Sequence, residues 1–142
     1  MAAKIDDYVL YADDDPDDRD FLKSSFDNLI RDKTLEVVKS GGELLEYLDR
    51  HAEKKGLPCL IILDQQMPVM NGDEVIEILK SKNAYQSIPV VIFSARGKDY
   101  PAFKKYNIGV EMKPQTIDGW RGIAKKLLKH CQEFKAGIDN DQ

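Results

Sequence analysis

Short apolar segments alternate along the chain with longer segments in which apolar residues recur every three or four positions. The short segments have the length of β-strands, and two of them are apolar throughout, as central strands covered on both faces are. Five strands are predicted in this way, at residues 8–12, 35–38, 59–63, 90–93 and 110–112. Five helices are predicted from the longer segments, at residues 16–31, around 44–48, around 75–79, at 101–106 and at 117–131.

Strands that alternate with helices favour right-handed crossovers and a parallel sheet with helices on both faces. The predicted fold class is therefore α/β, with a doubly wound five-stranded parallel sheet. A length of 142 residues suits one domain. We expect this domain to span residues 1–131, and we expect residues 132–142 to form a flexible C-terminal tail.

Composition excludes several classes of protein. Apolar residues make up 42% and charged residues 32% of the chain, which is typical of a globular protein and not of a disordered one. The apolar runs are too short to span a membrane, and the first residues lack the apolar stretch of a signal peptide. Cys59 and Cys131 show neither metal-site spacing nor a disulfide framework, so we interpret both as small core residues of a cytoplasmic protein.

The acidic excess of the chain is concentrated near its beginning. The net charge is −4, yet residues 6–20 alone hold eight acids and one base. Six of these acids have structural explanations as lead-in residues, an N-cap, helix-dipole partners or a solvated helix face: Asp6, Asp7, Asp15, Asp17, Asp18 and Asp20. Asp13 and Asp14 remain, because two acids beside an N-cap acid repel one another and call for a cation.

Polar residues follow four of the five predicted strands, where ligands bind in open α/β sheets. Asp13 and Asp14 follow the first strand, Asp64 the third, Ser94 the fourth and Lys113 the fifth. Carboxylates are the ligands that Mg²⁺ prefers, and an aspartate can take a phosphoryl group covalently. A metal, a lysine and a hydroxyl group would offset the charge of the phosphoryl oxygens.

Four motifs, each closing a predicted strand, carry a resemblance to a known family. They are VLYADDDP at 9–16, LIILDQQMPVMNG at 60–72, VVIFSA at 90–95 and EMKP at 111–114. With these motifs in this order, residues 7–131 resemble a response-regulator receiver domain of two-component signalling, of the stand-alone type. The resemblance implies a flavodoxin-like (βα)5 fold.

The resemblance implies a role for each matching residue. Asp64 would be the phospho-acceptor, with Asp14 as a direct Mg²⁺ ligand and Asp13 acting largely through water. Gln66 would supply a backbone carbonyl oxygen to the metal. Asp13, Asp14, Asp64 and Gln66 therefore form the expected metal site.

Ser94 would supply the hydroxyl group and Lys113 the ammonium group that contact the phosphoryl oxygens. The donor would be a phosphohistidine on a histidine kinase or a histidine phosphotransfer protein, for which small acyl phosphates can substitute. Such a protein is not a conventional enzyme, although it catalyses its own aspartyl phosphorylation and dephosphorylation. We expect an unidentified downstream protein as its target, and neither nucleic acid nor a membrane as a partner.

Two departures from the family pattern leave a second function open. Val110 stands where the family usually carries an aromatic residue, and the fourth helix is predicted to be short. Both favour a pseudo-receiver, which keeps the fold as a docking module without phosphorylation. An aspartate-nucleophile phosphohydrolase is disfavoured because Gln66 cannot act as its general acid. A nucleotide binder is disfavoured because the acids at 13–15 would repel phosphate.

Overall fold

The computed structural model describes residues 8–29, 34–94 and 101–140. The described chain contains one five-stranded, entirely parallel sheet in the order β2-β1-β3-β4-β5. Its strands are β1 (Tyr8–Ala12), β2 (Thr34–Val38), β3 (Leu60–Asp64), β4 (Val90–Phe93) and β5 (Gly109–Glu111). The predicted fold class is confirmed, and this strand order places β3 at the centre of the sheet, between β1 and β4.

Five helices connect and follow the strands in the described residues. They are α1 (Pro16–Leu29), α2 (Gly41–Lys55), α3 (Gly72–Ser81), α4 (Pro101–Lys105) and α5 (Ile117–Asn140). The prediction of a short fourth helix is confirmed, since α4 has five residues. Residues 30, 31 and 95–100, which include the predicted end of the first helix, lie outside the described residues.

Helix α5 is longer than the sequence pattern predicted. We expected it to end at Cys131, but it continues to Asn140 because Phe134 extends its apolar face and packs against the core. No described helix is both long enough and apolar enough to cross a membrane. The domain boundary at residue 131 and the flexibility of the tail stay predictions.

The sheet separates two apolar cores because successive side chains of a strand point to opposite faces. Tyr8, Leu10 and Ala12 face the layer of α2, α3 and α4, whereas Val9 and Tyr11 face the layer of α1 and α5. We call these the α2–α4 layer and the α1–α5 layer. The two layers bury both faces of β3, which explains why that strand is apolar up to Asp64.

Helix starts are fixed by local side-chain caps. The Asp15 carboxylate accepts a hydrogen bond from the Asp17 backbone N–H at 2.9 Å, which confirms its predicted N-cap role in front of Pro16. Asn71 accepts one from the Glu74 N–H at 3.1 Å and caps α3. Asp15 follows the end of β1, and Asn71 follows the loop after β3, so α1 and α3 begin close to the carboxyl edge of the sheet.

Cys59 and Cys131 are joined by a disulfide, which corrects our interpretation of them as two independent core residues. Both are fully buried in the α1–α5 layer, with their Cα atoms 5.0 Å apart. That separation lies within the range that a disulfide requires. The bond ties the residue before β3 to α5 across a sequence separation of 72 residues.

Reduction of this disulfide is expected to lower the free energy of unfolding by about 2–4 kcal/mol, because it frees a long loop in the unfolded chain. The measurement is urea unfolding followed by the fluorescence of Trp120, the single tryptophan, with and without a reductant. Cys131→Ala is the matched control, in which the reductant should change nothing. Equal wild-type midpoints in both conditions would contradict the prediction.

Candidate functional site

The strand register brings the carboxyl ends of the central strands to one edge of the sheet. Ala12 pairs with Leu63, so Asp13, the next residue of the chain, lies beside Asp64. Asp64 in turn pairs with Phe93, the last residue of β4. The two acids that the sequence placed after separate strands are therefore neighbours across β1 and β3.

The edge continues through β4 to β5. Phe93 pairs with Glu111, and the backbone N–H of Ser94 donates to the Glu111 carbonyl oxygen at 2.9 Å. Ser94 is buried, and Lys113 follows Glu111 by two residues. The predicted hydroxyl and ammonium groups thus come from the strand ends next to Asp64.

Asp13 is buried and accepts hydrogen bonds from residues of β1, of the loop after it and of α1. The Tyr11 hydroxyl donates to Asp13 Oδ2 at 2.5 Å, and the Asp15 backbone N–H donates to Oδ1 at 2.9 Å. The Arg19 guanidinium donates to the Asp13 carbonyl oxygen at 2.8 Å. Burial and the adjacent carboxylate raise the pKa of Tyr11, so its hydroxyl keeps its proton and remains a donor.

Lys113 is the cation of the site. Its Nζ lies 2.7 Å from Asp18 Oδ2, 2.9 Å from Asp13 Oδ2 and 3.4 Å from Asp64 Oδ2. Burial alone would lower the pKa of Lys113, but the hydrogen bonds to Asp18 and Asp13 outweigh it and the pKa is raised. The ammonium therefore stays charged at neutral pH.

Asp64 carries an unfavourable charge in this environment. Burial, followed by repulsion from Asp13, raises the pKa of the Asp64 carboxyl to about 7, although Lys113 and the Gln66 backbone N–H both act to lower it. A carboxylate that is poorly compensated by its own protein favours an added cation. Asp64 thus has the electrostatic character of a site that is completed by a ligand.

Carboxylate oxygens of Asp13, Asp14 and Asp64 lie within 4.8 Å of one another. Asp13 and Asp64 are buried, whereas Asp14 is exposed and faces the solvent from which an ion would enter. This set of hard oxygen donors fits Mg²⁺, which commonly binds one or two carboxylates together with water. Gln66 is exposed and lies next to this set, with its backbone N–H bonded to Asp64.

Gly72 allows α3 to begin against the end of β3. A Cβ atom at this position would lie 2.8 Å from the Asp64 carbonyl oxygen and 2.7 Å from Ile92 Cδ1. Its own N–H donates to the Gln65 carbonyl oxygen at 2.9 Å. Close packing against Asp64 and Ile92 therefore explains why a glycine stands eight residues after Asp64, an explanation that the sequence did not provide.

Asp18 is the site residue that sequence reasoning missed. It lies in the first turn of α1, as expected, but its carboxylate also contacts Lys113. Asp17 occupies the same turn and is exposed. No sequence signal separates these two acids, because the contact depends on a residue 95 positions away.

Val110 and its surroundings belong to the other layer of the protein. Its side chain is partly buried and packs against the α2–α4 layer, which also contains Phe103. The Tyr106 hydroxyl donates to Glu77 on α3 at 3.0 Å. Phe103 and Tyr106 therefore belong to the α2–α4 layer.

Known proteins resemble this chain over most of its length. The family model of the response regulator receiver domain matches residues 9–113. Response regulator Rre1 of Synechocystis sp. is 28% identical in an alignment that covers 87% of this chain and 52% of Rre1. Sensor histidine kinase TmoS of Ectopseudomonas mendocina is 34% identical, with 84% of this chain and 12% of TmoS covered. The chain thus spans about half or less of the length of these two relatives.

A solved structure of a response regulator also resembles this chain. A two-component response regulator from Legionella pneumophila superposes with a TM-score of 0.75 at 31% identity, covering 90% of this chain and 99% of its own.

Gly72→Ala is expected to lower the free energy of unfolding by about 1–3 kcal/mol, because the added methyl group meets the backbone of Asp64. Gly122→Ala is the matched control, since a Cβ there has no neighbour within 4 Å and removes flexibility from α5. That control should gain about 0.5–1 kcal/mol. Urea unfolding measures both, and equal effects of the two substitutions would contradict the packing argument.

The stability of the metal-free protein should depend on pH through Asp64. The pKa of Asp64 in the folded protein, about 7, exceeds the usual pKa of an aspartate in an unfolded chain. The stability that the protonated Asp64 carboxyl contributes is therefore complete at low pH and is lost as the pH rises through 7. Asp64→Asn removes this titration. We expect the stability of the variant relative to wild type to rise on the order of 2 kcal/mol between about pH 5 and 8.

Urea unfolding in the presence of a chelator, at several pH values, measures this difference. A difference between Asp64→Asn and wild type that does not change with pH would show that the Asp64 carboxyl is not perturbed.

Proposed function

Because the chain belongs to the response regulator receiver domain family, we propose that it accepts a phosphoryl group on Asp64 from a phosphohistidine of a partner protein. The observation that supports this proposal most directly is the grouping of Asp13, Asp14 and Asp64 with Lys113 at one edge of the sheet. A nucleophilic carboxylate, an acidic pair and a fixed cation meet there. This combination is what phosphoryl transfer to an aspartate requires.

In the proposed reaction, a carboxylate oxygen of Asp64 forms a bond to phosphorus as the bond between phosphorus and the donor nitrogen breaks. Lys113 lies 3.4 Å from Asp64 Oδ2 and donates to a phosphoryl oxygen. Ser94, the residue directly after β4, donates its hydroxyl group to another. Lys113 is in place before the reaction, so little reorganisation of this donor accompanies the charge transfer.

We propose Mg²⁺ as the cofactor, held by Asp13, Asp14, Asp64 and the backbone carbonyl oxygen of Gln66. When bound, the ion supplies positive charge to the carboxylates and to the incoming phosphoryl oxygens. Tyr11 and Lys113 keep the Asp13 carboxylate in a fixed orientation in this scheme, and Asp14 provides the exposed oxygen. The protein is not a conventional enzyme, since it promotes its own phosphorylation and dephosphorylation.

The proposed partners are a histidine kinase or a histidine phosphotransfer protein as donor and a downstream protein as target. We propose no role for nucleic acid or for a membrane. We propose that the protein acts in the cytoplasm.

A pseudo-receiver is the second candidate function. Two observations favour it, namely Val110 at the position of the family's usual aromatic residue and the five-residue helix α4. Such a protein would bind its partner equally well with and without Mg²⁺. It would also tolerate the loss of Asp64.

Wild-type protein mixed with a small acyl phosphate and Mg²⁺ is expected to gain the mass of one phosphoryl group, because Asp64 is the nucleophile. Asp64→Asn should gain nothing, and a chelator should prevent the reaction of wild type. Intact-protein mass spectrometry measures the adduct. Asp20→Asn is the matched control, since Asp20 is an exposed acid on α1 and its loss should leave the adduct unchanged.

A wild-type protein that stays unmodified under these conditions would support the pseudo-receiver. An adduct of equal yield in Asp64→Asn would place the acceptor elsewhere.

A further inference from the structure

We propose that Asp18 is a positioning residue that holds the Lys113 ammonium at the phospho-acceptor, an inference that rests on the function proposed above. Asp18 belongs to α1, whereas Lys113 lies in the segment between β5 and α5. The contact between Asp18 Oδ2 and Lys113 Nζ, at 2.7 Å, is the shortest of the three that this ammonium makes to carboxylates. It links two parts of the chain that share no strand pairing.

The contact with Asp18 affects how the Lys113 ammonium is oriented toward Asp64. A lysine ammonium has three N–H donors, and three carboxylates surround this one. Asp13 and Asp18 accept at 2.9 and 2.7 Å, whereas Asp64 lies farther away at 3.4 Å. With two donors fixed, the third is directed at the acceptor carboxylate, and the longer distance leaves this donor available to a phosphoryl oxygen.

Asp13 cannot position Lys113 by itself. Its Oδ2 atom also accepts the hydrogen bond of the Tyr11 hydroxyl, and its Oδ1 atom accepts that of the Asp15 N–H. Lys113 has a long, flexible stem whose side chain is 27% exposed, so one shared contact would leave it several orientations. Asp18 supplies a second contact from a different direction.

Asp18 is suited to this task by its place on a helix. It lies in the first turn of α1, and Asp15 caps the start of that helix. The residue after Asp18, Arg19, donates to the Asp13 carbonyl oxygen. The Asp18 side chain is 19% exposed, so its contact with Lys113 is shielded from solvent. A carboxylate fixed on a capped helix holds its partner better than one on a loop does.

The helix dipole gives a competing explanation for an acid at this position. That explanation applies equally to Asp17, which is exposed in the same turn. Comparison of the two acids therefore separates a general effect of charge from the specific contact with Lys113. Asp18→Asn serves as a conservative variant, since its amide oxygen can still accept a hydrogen bond from the ammonium.

The experiment measures the rate of adduct formation from a small acyl phosphate in Mg²⁺ for wild type, Asp18→Ala, Asp18→Asn and Asp17→Ala. We expect Asp18→Ala to slow the reaction about fivefold to tenfold, which corresponds to the loss of one fixed hydrogen bond. Asp18→Asn should recover most of the rate, and Asp17→Ala should match wild type.

A second readout follows Lys113 itself. Nitrogen-15 NMR detects lysine ammonium protons whose exchange with water is slowed by fixed hydrogen bonds. The Lys113 signal, identified by its loss in Lys113→Arg, should be present in wild type, absent in Asp18→Ala and present in Asp17→Ala. This measurement requires only folded protein and no phosphoryl donor.

Four outcomes would overturn the inference: a rate in Asp18→Ala equal to or above that of wild type, an equal loss of rate in Asp17→Ala, a Lys113 signal that persists in Asp18→Ala, and no signal in wild type. A wild type that forms no adduct but shows the Asp18-dependent Lys113 signal would instead contradict the proposed function and leave the positioning contact established.

Discussion

The arrangement of acids at the carboxyl edge of the sheet depends on the charge of one lysine. Lys113 contacts Asp13, Asp18 and Asp64, and these contacts offset part of the repulsion that buried carboxylates would otherwise exert on one another. One ammonium cannot balance three carboxylates and the exposed Asp14 as well. Burial, together with the remaining repulsion from Asp13, raises the pKa of Asp64 in spite of its lysine neighbour. The same imbalance favours an added cation, which is what the proposed function requires of these carboxylates.

The fold and most of the site could be predicted because both follow from the ends of strands. Parallel strands end at a common edge, so acids placed directly after β1 and β3 must come together once the sheet forms. Asp13, Asp64, Ser94 and Lys113 were located in this way from sequence position alone. Asp18 was not, because its contact depends on how far α1 is rotated about its axis and on the path of the segment after β5. Hydrophobic periodicity determines which face of α1 is buried, but not which polar residue beside that face reaches Lys113.

For core residues too, hydrophobic periodicity predicts burial but not which residues contact each other, as the disulfide shows. The pattern of α5 places Trp120, Ala124, Leu127 and Cys131 on one apolar face, and all four are buried in the α1–α5 layer. Periodicity therefore predicted correctly that Cys131 is a core residue. It could not predict that Cys59 lies opposite, since that requires the position of α5 along the sheet. The length of α5 was also missed, because a polar stretch after Cys131 hides the single apolar contact of Phe134.

The departures from the family pattern affect one layer of the protein, whereas the charged site is supported by the other. Tyr11 donates to Asp13 and packs edge-on against Phe93, which contacts Trp120 in the same way. These aromatic residues belong to the α1–α5 layer, to which alternation along β1 and β3 also directs Asp13 and Asp64. Val110 and the short α4 belong to the α2–α4 layer. A small residue at position 110 therefore leaves the groups that hold the carboxylates in place, so Val110 weakens the case for phosphorylation less than the loss of a charged residue at this edge would.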